Sequence, residues 1–379
     1  MNTTAIICEY NPFHNGHIYH INKIKEMFKE DTIILIMSGN YTQRGEVSLI
    51  DKWQKTDIAL NYVDLVIELP FVFSVQSADT FAKGAIQIIN SLGIKKIVFG
   101  TENLDATKLK TIAKAQKTEE FNKLVKKYLD LGNNYPTSLS KASYKLTKIK
   151  IEASNDLLGL SYIKAIDDKD IKPITIQRTN NFKDKNLSNT NITSATSIRE
   201  TLKTSKKKID KYIPAITKEK LNGHLHFNYQ YYDFLKTKII SEIDHLNIYL
   251  NVDEGIEGRI KKYIYSSNTL EELIENLKTK RYTYNKISRM LTYIMCGFTK
   301  EDAKKYKNIE YIRVLGFNKK GQKFLKEAKK ISSIPIISKY ENKYKMLELE
   351  LKTSYIYYSN EKDKVNLTSL EYKHKPVIK

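Results

Sequence analysis

The stretch CEYNPFHNGHIYHINK, residues 8–23, sets His14 and His17 three apart around Gly16, directly after an apolar run and directly before a helical pattern. Three readings suit such a pair: phosphate handling at a strand-to-helix turn, a metal site, or two ordinary loop histidines. The surroundings favour the first. Pro12 restrains the turn, Gly16 lets the backbone approach a ligand, and a helix opening near His17 aims its positive end at whatever binds there. Imidazoles at a helix start can donate hydrogen bonds to phosphoryl oxygens and stabilise charge that builds as an α-phosphorus is attacked, with no covalent intermediate.

Outward from this stretch, short β-branched runs alternate with longer amphipathic ones. Segments 3–9, 32–38, 64–69, 95–100 and 171–177 read as strands, and their continuous apolar character suits a sheet covered on both faces. Helical patterns lie near 16–29, 53–62, 76–91, 105–131 and 155–167. Repeated strand–helix–strand units predict an α/β fold with a Rossmann-like parallel sheet, whose ligands bind beyond the carboxyl ends of the strands. The basic run KTSKKKIDKYIP (203–214) marks a boundary. Beyond it, 228–247, 253–265, 269–278 and 283–297 read as helices, followed by IEYIRVLGF (309–317), a helix near 318–330 and a strand at IPIIS (334–338). Residues from about 365 onward read as a loose tail.

The chain has 379 residues and a net charge of +21, with the excess concentrated in its second half: residues 201–379 hold 37 Lys and Arg against 21 Asp and Glu. Such asymmetry points to a polyanion, and interleaved tyrosines favour RNA, whose unpaired bases stack on aromatic rings. The alternative is lysine used as generic surface filler. Cys8 and Cys296 form no framework, and no metal centre is expected, because few Cys and His stand at ligand spacing. No apolar run approaches the length of a membrane span and no secretory signal is evident, so a cytoplasmic protein without membrane contact is expected.

HNGH resembles the H-x-G-H signature of the nucleotidyltransferase superfamily, and ITSATSIRE (192–200) resembles its second, I-S-x-T-x-x-R-like element, with Ser194, Thr196, Ser197 and Arg199 placed to hold a triphosphate. Taken in order, EYNPFHNGHIYH, MSGNYTQRGE, DKWQKTDIAL, DLVIELPF, FGTEN, ATSIR and KTKRYTYNKISRM are similar to the bacterial tRNA(Met) cytidine acetate ligase family over nearly the whole chain. The resemblance implies a nucleotidyltransferase domain over 1–204 and a mainly helical, basic tRNA-binding domain over 205–379. It implies ATP-dependent activation of acetate to acetyl-adenylate, then acetyl transfer to N4 of the wobble cytidine of elongator tRNA(Met). Partners are therefore ATP, acetate and the tRNA anticodon region, with Mg²⁺ held mainly through the ATP phosphates and no protein partner.

In the site so implied, His14 and His17 are catalytic. Nucleotide contacts carry over onto Ile7, Cys8, Glu9, Tyr10, Asn11, Pro12, Phe13, His14, Asn15, Gly16, His17, Ile18, Tyr19 and His20, and onto Gly100, Asn155, Arg178, Ser197 and Arg199. A shift of one residue would pass the role of Asn155 to Asp156, and Asn155 also reads as a helix cap. Arg178 follows the last strand and can reach the nucleotide or the RNA backbone. The loop MSGNYTQRGE (37–46) suggests acid or cytidine recognition through Ser38, Asn40, Gln43 and Arg44, while Lys52 can serve a phosphate or Asp51. For RNA, residues 278–290 offer Lys278, Lys280, Arg281, Lys286 and Arg289 with Tyr282 and Tyr284; a solvated helix face is the bland alternative. Competing functions are a small-molecule adenylyl- or cytidylyltransferase with a basic annex, and a non-catalytic RNA-binding protein.

Overall fold

Five segments of nearly unbroken apolar character become parallel strands: β1 (Thr3–Cys8), β2 (Thr32–Ser38), β3 (Leu65–Leu69), β4 (Lys96–Thr101) and β5 (Lys172–Gln177). A computed structural model describes residues 1–167, 169–178, 186–253 and 255–379, the Lys207 side chain excepted. Every residue of β2 is buried, as a strand sandwiched between helices requires. Three further strands, β6 (Ile312–Phe317), β7 (Ile336–Ile337) and β8 (Val377–Ile378), come from the far end of the chain. The sheet runs β5-β4-β1-β2-β3-β6-β7, with β8 also on β6; only the β3–β6 pairing is antiparallel among the described strands.

The first half carries α1 (Asn15–Met27), α2 (Lys52–Ala59), α3 (Phe71–Ser74), α4 (Ala78–Ser91), α5 (Ala106–Ala115), α6 (Glu119–Asp130), α7 (Tyr135–Thr147), α8 (Ser154–Ile166) and α9 (Ala195–Leu202). The single helix expected over 105–131 is broken between α5 and α6, where Thr118 caps the second piece by accepting from the Phe121 amide. Beyond it come α10 (Ala215–Leu221), α11 (Tyr232–Ser241), α12 (Ile256–Tyr263), α13 (Leu270–Leu277), α14 (Tyr284–Cys296), α15 (Lys300–Lys305), α16 (Lys319–Ile331), α17 (Lys345–Tyr357) and α18 (Lys364–Lys373). We keep the 204/205 division as a proposal; the sheet itself takes strands from both sides of it.

The expected loose tail is instead α18 and β8, and a buried charge cluster explains why. Lys52 Nζ lies 2.6 Å from Glu68 and 2.7 Å from Glu371, and Arg313 Nη1 lies 2.6 Å from Glu371 and 3.3 Å from Glu68. All four side chains are almost fully excluded from solvent. Two cations and two carboxylates thus balance inside the core, tying α2, β3 and β6 to α18. The two cations hold the Glu371 carboxyl down to about 2, while burial pushes neighbouring Glu350 up to about 8.

Candidate active site

β1 and β4 are neighbours whose onward connections leave in opposite directions across the sheet, which makes the crevice beyond their carboxyl ends the expected ligand position. A cavity of about 370 Å³ occupies that crevice. Its wall comes from the segments following β1, β2, β4 and β5, with additions from α4, α8, α9 and α14.

The first segment opens α1 with an N-terminal cap made of histidine. The His14 Nδ1 accepts from the Gly16 amide at 3.0 Å, and the His17 Nδ1 accepts from the His14 amide at 3.2 Å. A ring nitrogen that accepts carries no proton, so in each neutral imidazole the proton sits on Nε2 and is free to be donated. The rings lie 3.9 Å apart between centroids, and His17 is held by Tyr10 at 4.7 Å and Phe13 at 5.5 Å. A Cβ on residue 16 would stand 2.7 Å from His14 Cε1, so only glycine leaves that ring in place.

Burial keeps these imidazoles neutral. It lowers His14 to about 3, with Arg178 and Arg199 adding to the effect, and it lowers His20 to about 4 with help from Arg178. His17 is held well below the usual range by burial, then by His14, Arg178 and His20. The His20 Nε2 and the Arg178 Nε are buried polar atoms without hydrogen-bond partners. The Arg178 Nε–H is a donor in any state, and an unpaired buried donor favours an acceptor-rich ligand.

Other cations are placed by anchored backbone. Arg199 Nη1 donates to the Asn11 carbonyl at 3.0 Å, and its Nη2 lies 3.0 Å from Glu46. Ser194 caps α9, accepting from the Ser197 amide at 3.0 Å. The Arg178 side chain lies over Gly100, its Cγ 3.1 Å from where a Cβ would stand. Asn155 faces the cavity and donates through Nδ2 to Glu102 at 2.6 Å, whereas Asp156 accepts from the backbone amides of Glu102 and Asn103. The cavity-facing residue of the two is therefore Asn155.

The loop after β2 is docked rather than free. Gly45, at φ +77°, touches α14 so closely that a Cβ would stand 2.6 Å from the Arg289 amide nitrogen, and its carbonyl accepts from Ser288 Oγ and Thr292 Oγ1. Lys55 Nζ sits behind the loop, donating to the carbonyls of Glu9, Ser38 and Gly39 and to Ser48 Oγ. Burial lowers this amine to about 7, with Glu9 the largest opposing charge.

Of the residues expected to contact nucleotide, Ile7, Cys8, Glu9, Tyr10, Asn11, His14, Gly16, His17, Tyr19, His20, Gly100, Asn155, Arg178 and Arg199 line the cavity. Pro12, Phe13, Asn15, Ile18 and Ser197 do not: Phe13 is core, and Asn15 donates to the Asn191 and Lys211 carbonyls. Gln43 and Arg44 line it, but Ser38 and Asn40 are buried elsewhere and Lys52 is committed to Glu68 and Glu371. None of the seven residues expected to bind RNA lines it. Tyr282 is core, its hydroxyl bonded to the Asn251 and Asp253 carbonyls, and α14 begins only at Tyr284. Sequence reasoning missed Asn285, Glu46 and Phe81, which also line the cavity, and Lys55; only Lys55, one turn after the Asp51 cap, left a signal, a charged residue on the apolar face of α2.

The chain is matched over residues 1–371 by the HIGH Nucleotidyl Transferase family. It is 38% identical to the tRNA(Met) cytidine acetate ligase of Geobacillus sp. over all of both chains, and 41% identical to that of Clostridium novyi over 94% of this chain and 95% of the relative. The chain belongs to the tRNA(Met) cytidine acetate ligase family. Among solved structures it is similar to apo Thermotoga maritima TmcAL, with TM-score 0.92 and 28% identity, covering 100% of this chain and 99% of that one. A second form of that protein, bound with alpha-thio ATP, matches with TM-score 0.90 over the same shares. Within the ligase family, then, the H-x-G-H loop of this chain opens α1 with two neutral imidazoles turned to a cavity.

Proposed function

We propose that this chain is an ATP-dependent tRNA(Met) cytidine acetate ligase that activates acetate as acetyl-adenylate, releasing pyrophosphate, and transfers the acetyl group to N4 of the wobble cytidine of elongator tRNA(Met). The carrying observation is the pair of Nε2–H donors on His14 and His17 at the start of α1, flanked by Arg178 and Arg199. Preorganised donors in a buried crevice stabilise negative charge more than water does, and they need no reorganisation as that charge develops.

ATP fits this cavity: Gly16 leaves room for close approach, the Arg178 Nε–H is an unpaired buried donor, and the His20 Nε2 is likewise unpartnered. Acetate carries a charge that repels a triphosphate, so cations must precede attack. Arg44, which lines the cavity under the opposing influence of Glu9 and Glu46, is the residue we assign to the acetate carboxylate. Holding that carboxylate in line with the α-phosphorus turns a bimolecular encounter into an oriented one, an effect reaching roughly 7–11 kcal/mol in ideal cases. Mg²⁺, were it bound, would be held mainly through the ATP phosphates and would offset part of their negative charge. The amine of cytosine then attacks the mixed anhydride, which needs an unstacked base such as an anticodon loop presents, and water kept out. The enzyme works in the cytoplasm; among the described residues no helix is long and apolar enough to cross a membrane.

Incubation with labelled acetate, ATP and total tRNA, followed by nucleoside analysis, places label in N4-acetylcytidine. The His14→Ala/His17→Ala variant, folded by circular dichroism, loses acetyl-AMP formation by about 10³-fold or more. ATP–pyrophosphate exchange that ignores acetate would instead indicate a small-molecule nucleotidyltransferase.

A further inference from the structure

We propose a second site, outside the nucleotide cavity, at which His224, His226 and Glu361 bind a divalent transition-metal ion of the Zn²⁺ class. Their ligand atoms lie within 4.8 Å of one another, and His226 Nε2 is already 3.1 Å from a Glu361 carboxylate oxygen. Zinc–nitrogen and zinc–oxygen bonds of about 2.0–2.2 Å at tetrahedral angles require ligand atoms roughly 3.3 Å apart. One edge of that tetrahedron is thus present. The third ligand, His224, is exposed, with its ring centroid 4.9 Å from that of His226.

The hydrogen bonds behind His226 supply the second observation. Its Nδ1 lies 2.7 Å from the Tyr231 hydroxyl, and that hydroxyl donates its only proton to the Tyr357 carbonyl. The Tyr231 oxygen can then only accept, so the His226 proton sits on Nδ1 and the lone pair of Nε2 faces a carboxylate. Two acceptor atoms at 3.1 Å need a positive centre between them, either a proton or a metal ion. A histidine whose far nitrogen donates to a fixed oxygen, leaving the near one as an oriented lone pair, is the arrangement that metal-ligating imidazoles adopt. The ring is further locked by stacking on Tyr357 at 4.0 Å and by the His226 amide donating to the Leu49 carbonyl. Two nitrogens and one carboxylate oxygen suit Zn²⁺ better than Ca²⁺ or Mg²⁺, which prefer oxygen shells. The exposed side leaves a position for water.

None of the three residues lines the nucleotide cavity. The ion joins the segment after α10 to the turn after α17, so it acts as a staple and not as a reagent. This inference stands apart from the ligase reading, since its readout is metal and not product.

The test uses the full chain without a polyhistidine tag, stripped with chelator and dialysed against micromolar Zn²⁺, with metal measured by mass spectrometry. Wild type retains about one equivalent, and bound Zn²⁺ raises its Tm by a few degrees, roughly 2 °C or more for a chain of this size. His224→Ala and Glu361→Gln each lose affinity tenfold or more while still forming acetyl-AMP. His226→Ala is avoided because His226 is buried. Retention of less than about a tenth of an equivalent by wild type, or equal affinity in wild type and both variants, would mean that a proton occupies the gap and overturns the proposal.

Discussion

His14, His17 and His20 each trade solvation for position. All three are buried against cationic neighbours, and in all three the neutral ring is the folded form. An imidazole with native pKa below its unfolded value of about 6.5 binds fewer protons folded than unfolded, so its contribution to stability is complete above that value and lost as pH falls through the interval. Relative to His20→Gln, wild type should lose stability between pH 6.5 and about pH 4, by roughly 1 kcal/mol per pH unit, read as a shift in urea midpoint. Glu350, raised by burial, slopes the other way but is common to both proteins and cancels from the difference. A midpoint difference independent of pH would show that His20 is not held neutral by the fold.

At the scale of elements, α18 is held by charge as much as by apolar packing. Glu371 accepts from Lys52 and from Ser354 Oγ at 2.6 Å, and Arg313 donates to both its side chain and its carbonyl. Removing one cation leaves two buried carboxylates sharing Arg313. Lys52→Met should therefore destabilise the chain by about 3–5 kcal/mol in chemical denaturation, and pairing it with Glu371→Gln should restore part of the loss. Loss confined to ~1 kcal/mol would mean the cluster is solvated. The same ion pairs explain why a loose tail was expected from residues 365 onward: a mixed polar run with a single Pro carries no sign that Glu371 meets Lys52 more than 300 positions away. Conversely, β1 to β5 were legible to within a residue or two, because an apolar run of strand length needs no distant partner to be recognised.

For the whole molecule, the two halves meet at the cavity and not only through the sheet. Asn285 of α14 lines it, and Gly45 of the β2 loop is docked on the same helix. Lys280 and Arg281 are exposed just before α14, and under the proposed function they are assigned to the phosphates of the RNA that presents its base there. Changing both to Ala should weaken tRNA binding and lower the slope of log affinity against log salt by about 1 for each phosphate no longer neutralised, while acetyl-AMP formation stays unchanged. Filter binding at several salt concentrations reads this. An unchanged slope would move the RNA path to another face.

The sequence by itself determined what short-range periodicity and local chemistry encode: the apolar runs of a parallel sheet, the strand-to-helix turn that sets His14 and His17 at the start of a helix, and the excess of positive charge beyond residue 200. Tertiary structure alone decided which polar residues face the cavity and which serve the core. It turned Asn155 inward and Asp156 to the backbone, spent Lys52 on Glu68 and Glu371, set Lys55 behind the loop that follows β2, and set Glu361 against His226. The physical reason is that a charged or amide side chain has the same local signature whether it ends in solvent, on a ligand or against an opposite charge. Only the closing of the sheet, which brings residues hundreds apart within 3 Å, removes water and selects among those partners.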